Sequence, residues 1–397
     1  MKVQSIGSIS LALTAFSFVG LTTSLPASAA TFYNVTDLGV ARESGSTIAT
    51  GINDLGQVIG ISVFSQRARE SFRTAPNSAI NPTTDIVASL ANVGESTPND
   101  INNSGQVVGI GIPFSRFTTG YLTEPNGSIG VDTIFIGEAN GINDSGQVTG
   151  RGLVSDPSTS SSIYHAVLDN PNAGAGFIDL GTLGGTNSAG NGINNLGQVV
   201  GSSATASGET HAFRTAPNSV INAATDDLGT LGGSFSRAND INDLGQVVGS
   251  STTASGQSHA FLTGANSAIN AATDDLGTLG GNFSFAYSIN ESGFVVGNSE
   301  LVDGSDRAFV YDGTDLFDLN TLIAENSGFV LTSARGINES GQIAATGFFG
   351  GSSNSRAFLL TPTSEPVPEP TTMLGALAFG AGASFLRKRA AKQKLKA

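Results

Sequence analysis

"INDLGQVVGS" occupies residues 241–250, and a near copy, "INNLGQVVGS", residues 193–202. A polar, glycine-bearing string that recurs almost letter for letter is either a ligand loop or a structural turn. Counting its copies separates the two. Ile-Asn-x-x-Gly followed by an apolar run begins at Ile52, Ile101, Ile142, Ile193, Ile241, Ile289 and Ile337, with spacings of 49, 41, 51, 48, 48 and 48. Seven copies at a near-constant period mark a repeat architecture, which has to be read before any single motif.

Each copy is followed by a second recurring stretch: "ESFRT" at 70, "TGYLT" at 119, "YHAVL" at 164, "HAFRT" at 211, "HAFLT" at 259, "RAFVY" at 307 and "RAFLL" at 356. Large apolar residues alternate with small or polar ones here, a strand signal. A third element is Asp-Leu-Gly or a worn form of it: "VTDLGV" at 35, "TDIVASL" at 84, "VDTIFIG" at 131, "FIDLGTLGG" at 177, "DDLGTLGG" at 226 and 274, and "LFDLNTL" at 316. It too occurs seven times, but one copy precedes the first Ile-Asn motif and none follows the last.

A period of 40 to 50 residues with four short strands per unit is what a β-propeller blade requires. In a ring, a strand displaced to the N-terminus completes the last blade and removes a free edge. The expectation is an all-β, seven-bladed β-propeller over residues 31–362, with the strand near Val35 to Leu38 beside Arg356 to Leu360. The 52 glycines and the low charged content of 13% fit short strands joined by turns, and 39% hydrophobic residues suffice for a core. The chain has no cysteine, so neither disulfides nor thiolate metal sites hold it.

Within Ile-Asn-x-x-Gly, Asn suits a turn because its side chain accepts hydrogen bonds from amides two residues on, and Gly because it takes positive φ. The turn residues are therefore Asn53 and Gly56, Asn102 and Gly105, Asn143 and Gly146, Asn194 and Gly197, Asn242 and Gly245, Asn290 and Gly293, and Asn338 and Gly341. Calcium binding by these turns lacks the dense alternating carboxylates of calcium loops. Ala49, Ala139, Ala238, Ala286 and Ala334, three residues before the Ile, are small enough for the innermost strand, and a central channel is expected to be lined from there. His165, His211 and His259 fall at one repeat position, where other units carry Arg307 or Arg356, which favours a structural role over a metal site. The only metal candidates are Asp303, Asp306, Asp312 and Asp315, in two solvated turns with cation binding as an extra. No Ser/His/Asp set, nucleotide loop or zinc spacing is present, and no cofactor is expected.

The units resemble the HAF repeat, an extracellular repeat family, through "HAF" at His211–Phe213 and His259–Phe261 in order with "GIN..GQVVG" and "DLGTLGG". The resemblance covers nearly all of residues 32–362, although the first two units lack "DLGTLGG". It implies location and architecture, and brings no catalytic activity with it.

Both ends read as transport signals. Lys2, an apolar run from Ile9 to Leu21, Pro26 and "ASAA" form a secretory signal peptide and helix over residues 1–30, cut after Ala29 or Ala30 by signal peptidase. At the other end, a Pro-rich linker (363–370) leads into an apolar helix over Thr371 to Leu386 and the basic residues Arg387, Lys388 and Arg389. This end, residues 371–397 with Pro368, Glu369 and Pro370 before them, resembles a PEP-CTERM sorting tail. The resemblance implies transient membrane insertion, recognition and cleavage by an exosortase, and a place at the cell surface or outside the cell in a bacterium that makes exopolysaccharide. Without the two signals the chain keeps 11 arginines and no lysine against 32 acidic residues, a net of −21. That balance excludes nucleic acid and points to cationic or neutral partners.

Two function classes follow. One is a non-enzymatic surface or extracellular propeller that binds exopolysaccharide or another surface component, or serves as a structural part of that matrix. The other is a polysaccharide hydrolase or lyase, which demands a repeat-breaking cluster of acidic, Arg or Tyr side chains at the channel mouth. The carboxylates that stand out, such as Asp226 with Asp227 and Asp274 with Asp275, obey the repeat, so the first class leads. Where the pattern fails most visibly is in the variable loops of the first three units.

Overall fold

In the computed structural model, the described residues are 31–363 apart from 41–44, 66–67, 87–92, 114–117, 127–131, 156–161, 170–175, 326 and 351. The expected signal helix, nearly all of the linker, and the sorting helix with its basic end lie outside them, as do parts of the loops of the first three units. Among the described residues, the sole helical element is a one-turn 3-10 helix, Leu319–Thr321, and no helix is long and apolar enough to cross a membrane.

The strands pair mostly as antiparallel hairpins, with single parallel contacts where Thr210 meets Phe235 and Ser258 meets Phe283. Each Ile-Asn motif is the turn between two strands: Ser46–Ile52 with Val58–Ser65, Val93–Ile101 with Val107–Pro113, Asp132–Ile142 with Val148–Ser155, and so on to Phe329–Ile337 with Ile343–Phe349. The second strand of each unit pairs with a third that carries the His-Ala-Phe stretch, for example Val199–Thr205 with Thr210–Arg214. A fourth strand follows in some units, as in Phe177–Gly181 beside Ser162–Asp169 and Leu316–Asp318 beside Asp306–Tyr311. In the first and fifth units it shrinks to single bridges, Phe72 to Ile86 and Phe261 to Asp275. Asp132–Ile142 serves two units: its start pairs with Thr119–Leu122 and its end with Val148–Ser155.

The strand Phe32–Asp37 lies antiparallel to Ser355–Thr363, with Val35 opposite Leu360. Leu38, just after it, is fully buried in a cluster that joins Ala49, Val58 and Phe72 of the first unit to Ala344, Ala357 and Leu359 of the last. Comparable apolar clusters sit between other successive units. The core is thus distributed between units, and no unit can bury its faces alone.

The Val-Val-Gly and His-Ala-Phe elements explain each other. Gly60, Gly201, Gly249 and Gly297 stand opposite Phe72, Phe213, Phe261 and Phe309, each with no exposed surface. A Cβ on Gly201 would fall 1.9 Å from the Ala189 carbonyl oxygen, so the first and second strands approach closely only because that residue is glycine.

Candidate functional site

The turn asparagines do more than close hairpins. All seven turn glycines have φ between +75° and +82°, the left-handed region that glycine enters without cost. The Asn side chain reaches further than two residues. Its Oδ1 accepts from the amide four residues on, as from Gln57 to Asn53 at 3.0 Å and Gln342 to Asn338 at 2.9 Å. Only Asn143 adds the shorter bond among the described residues, from the Ser145 amide. The reason is geometric: a four-residue turn brings the far strand opposite the Asn, so the side chain spans the hairpin mouth.

The Asn Nδ2 then donates to the neighbouring unit. Asn53 donates to the carbonyl of Asn102, Asn102 to Asn143, Asn143 to Asn194, Asn194 to Asn242, Asn242 to Asn290, Asn290 to Asn338, and Asn338 back to Asn53, all at 3.0–3.2 Å. The chain of bonds has no end. A second cycle runs just outside it, where each residue after the Asn donates its amide to the side chain of the same position in the next unit, from Asp54 to Asn103 and finally from Glu339 to Asp54. This outer cycle carries Asp54, Asp144, Asp243, Glu291 and Glu339, a rim of five carboxylates. Partial burial, followed by the charges of Asp54, Glu291 and Asp243, pushes the Glu339 carboxyl up.

On the other side of the asparagines, every first strand has a register shift between the third and first residues before its Ile, as between Ala49 and Gly51 or Ala334 and Gly336. The residue left over is a β-bulge, which re-aims its side chain. The seven bulge residues are Thr50, Asn99, Asn140, Asn191, Asn239, Tyr287 and Arg335, and all seven line one cavity of about 740 Å3. The five alanines that mark the innermost strand sit one residue earlier and are fully buried, and the bulge turns the residue beside each onto the cavity.

In this cavity the repeat fails. Four bulge asparagines donate to the next unit's backbone, as Asn140 does to Gly190 at 2.8 Å and Asn239 to Ala286 at 2.7 Å. Tyr287 and Arg335 instead stack on each other, the guanidinium carbon 4.6 Å from the ring centroid. Two residues before the bulge, Glu138 and Arg237 hold a place that is Ile48, Thr97, Ala189, Phe285 and Ser333 elsewhere. On the second strand, Arg151 stands where other units have Ile61, Ile110, Ser202, Ser250, Asn298 and Thr346. Arg151 binds Glu138 at 2.5 Å, and Arg237 donates to Asn191 Oδ1 at 3.1 Å. Burial lowers the Arg237 guanidinium from its usual value, opposed by Glu138 and Tyr287. The Tyr287 hydroxyl is pushed up by burial and held back by Arg335 and Arg237.

Deeper still, the residue before the Ile is glycine in four units, Ser288 in one, and Asp100 and Asp240 in two. Both carboxylates line a chamber of about 100 Å3. Asp100 accepts from its own neighbour Ile101 at 2.8 Å and from Ile142 of the next unit at 2.9 Å. Asp240 does the same with Ile241 and Ile289. Desolvation raises the Asp100 carboxyl to about 7, with the backbone donors pulling down and Asp240 pushing up. Asp240 is raised for the same first reason.

The other sequence candidates lie elsewhere. His165, His211 and His259 each place Nδ1 2.8–2.9 Å from an Asp-Leu-Gly carboxylate, Asp179, Asp227 and Asp275 respectively. Arg307 with Asp318 and Arg356 with Asp37 repeat the pairing more loosely. Each histidine thus ties its third strand to the fourth element of its own unit. Asp303 is taken up by the Ser305 amide and hydroxyl, and these bonds lower its carboxyl. Asp312 accepts the amides of Thr314 and Asp315 in a separate turn, and Asp306 accepts from Asn298. Among the described residues no three His, Asp or Glu side chains group as a metal site.

Sequence reading missed the cluster of Glu138, Arg151, Arg237, Tyr287 and Arg335, which come from four units. A signal was present: aligning the repeats on Ile and reading the position two before it gives Thr, four Asn, Tyr and Arg. The cavity holds three arginines against one glutamate, the opposite balance to the chain as a whole.

Against known proteins, residues 217–359 match a family model described as a protein of unknown function, DUF3466. No curated protein matches the chain. Among solved structures, the chain is similar to a prolyl endopeptidase (9% identity, TM-score 0.47, covering 84% of this chain and 51% of that one). It is also similar to the lectin BP39L from Burkholderia pseudomallei (12% identity, TM-score 0.42, covering 68% and 82%) and to Trypanosoma rangeli sialidase (10% identity, TM-score 0.40, covering 80% and 54%). The chain spans about half the length of the endopeptidase and of the sialidase that it matches.

Proposed function

We propose that residues 31–362 form a seven-bladed β-propeller closed by the N-terminal strand, and that it works as an exported, non-enzymatic binding module of the exopolysaccharide matrix. Closure is supported by the endless cycle of seven asparagines and by the pairing of Phe32–Asp37 with Ser355–Thr363. Export, processing at the C-terminal tail and a place at the cell surface rest on the end segments read from the sequence.

The observation that carries the binding function is the axial cavity of about 740 Å3, within the usual range of small-molecule sites (about 300–1,000 Å3), where the side chains that break the repeat are concentrated. Binding is favoured over hydrolysis by the state of the nearby carboxylates. Glu138 is held by Arg151, and Asp100 and Asp240 each hold two backbone amides. Glycoside cleavage needs one carboxyl free to give a proton and another free to attack or activate water.

The test is to recover the protein from the envelope and medium of the cell that makes it, and to pass that cell's exopolysaccharide over the immobilised protein. Retention without new reducing ends supports the reading. Cleavage products that vanish on Glu138→Gln, or loss of all retention, would overturn it.

A further inference from the structure

We infer that the axial cavity recognises the carboxylate of an acidic sugar, a hexuronate. The inference rests on the reading of this cavity as the binding face and names the class of ligand it takes.

Three of the 11 arginines between the two end signals line this one cavity, at positions where the equivalent residues of other units are neutral apart from Glu138. One of the three, Arg151, is matched by Glu138. Among the described residues neither Arg237 nor Arg335 has a carboxylate partner. Arg237 spends one donor on Asn191, and Arg335 lies over Tyr287. Both side chains are exposed to the cavity. A guanidinium presents five N–H groups in a planar fork that matches a carboxylate with two parallel bonds. Two such forks with no carboxylate in ion-pair contact, Arg237 feeling only the charge of the Glu138 that Arg151 already holds, select, in a chain of strongly negative net charge, an anion that is small or presented at a chain end. A long polyanion laid over the acidic surface is repelled.

The remaining lining favours a sugar over a bare anion. Phe235, Phe285 and Tyr287 supply ring surface for the apolar face of a pyranose, and Phe235 is 40% exposed.

The test is calorimetric titration of the full chain with sodium glucuronate, glucose and sodium phosphate, alongside retention on the exopolysaccharide. Glucuronate should bind, with glucose and phosphate each at least about tenfold weaker. Arg237→Gln and Arg335→Gln should each weaken glucuronate at least about tenfold with an unchanged melting midpoint, and Arg335→Lys should lose less than Arg335→Gln. Equal binding of glucose, equal or tighter binding of phosphate, or insensitivity to both arginine substitutions would overturn the inference. Retention of the polymer without glucuronate binding would overturn it alone and leave the matrix-binding reading standing. Glucuronate binding without retention would do the reverse.

Discussion

Asn194 accepts one amide, donates to Gln198 Oε1 at 2.9 Å and donates to Asn242 of the next unit at 3.0 Å, all while 4% exposed. Asparagine alone among the small residues both accepts and donates twice from a side chain of this length. Asn194→Asp keeps the acceptor and loses both donations, so stability should fall by about 1–3 kcal/mol in urea unfolding. Leu196→Ser, two residues on and 53% exposed, should stay within about 0.5 kcal/mol. Asp100 gives a prediction in pH. Its carboxyl titrates near 7 in the folded chain and near 4 in an unfolded one. Folding therefore favours the protonated form, and the contribution to stability is complete below about pH 4 and lost as pH rises through about 7. Replacing Asp100 with Gly, as four other units have it, should flatten that decline in melting midpoint between pH 4 and 8. A decline of unchanged size would mean that other groups cause it.

The hairpins were legible in the sequence because the constraint on them is local. Asn and Gly at fixed offsets specify a turn wherever they occur, and the buried Phe213 or Phe261 announces itself by alternation. The bulge was not legible. It adds one residue to the strand in a way that sequence alternation cannot register, so the region around Ala238 could be named for the channel but not Asn239 as the residue that lines it. Nor was the grouping of Arg151, Arg237 and Arg335, since their proximity depends on how units stack. Strand supply can be tested at this scale too. Phe32–Asp37 brings six backbone pairings and leads directly into the fully buried Leu38. Leu38→Ala should cost about 2–5 kcal/mol, and deleting residues 31–40 should cost more, both read by chemical denaturation. A harmless deletion would show that Ser355–Thr363 needs no partner.

Across the whole molecule, contacts pass from each unit to the next and from the last to the first. Ala49 donates to Thr346 Oγ1, Ala357 to Thr47 Oγ1, and Gln342 to Asn77. An open stack would tolerate loss of one repeat with a proportionate loss of stability. For a closed set of seven, removing residues 194–241, one full period of 48, should abolish cooperative unfolding, as followed by far-ultraviolet circular dichroism. A sharp transition of six-sevenths amplitude would rule closure out. The cycle of turns and the cavity also differ in sign, with five carboxylates in the one and an excess of arginine in the other, so the two are not interchangeable to a charged ligand.

The pairing of Val35 with Leu360 has a further consequence for how the chain comes into being. The earliest of the described strands to emerge in synthesis is the one whose neighbour arrives last. Every intervening hairpin can zip as soon as it appears, yet the outermost edge of the final sheet stays open until the whole chain is delivered. Completion of the final sheet is thereby a late step, and it gives the finished chain a single latch.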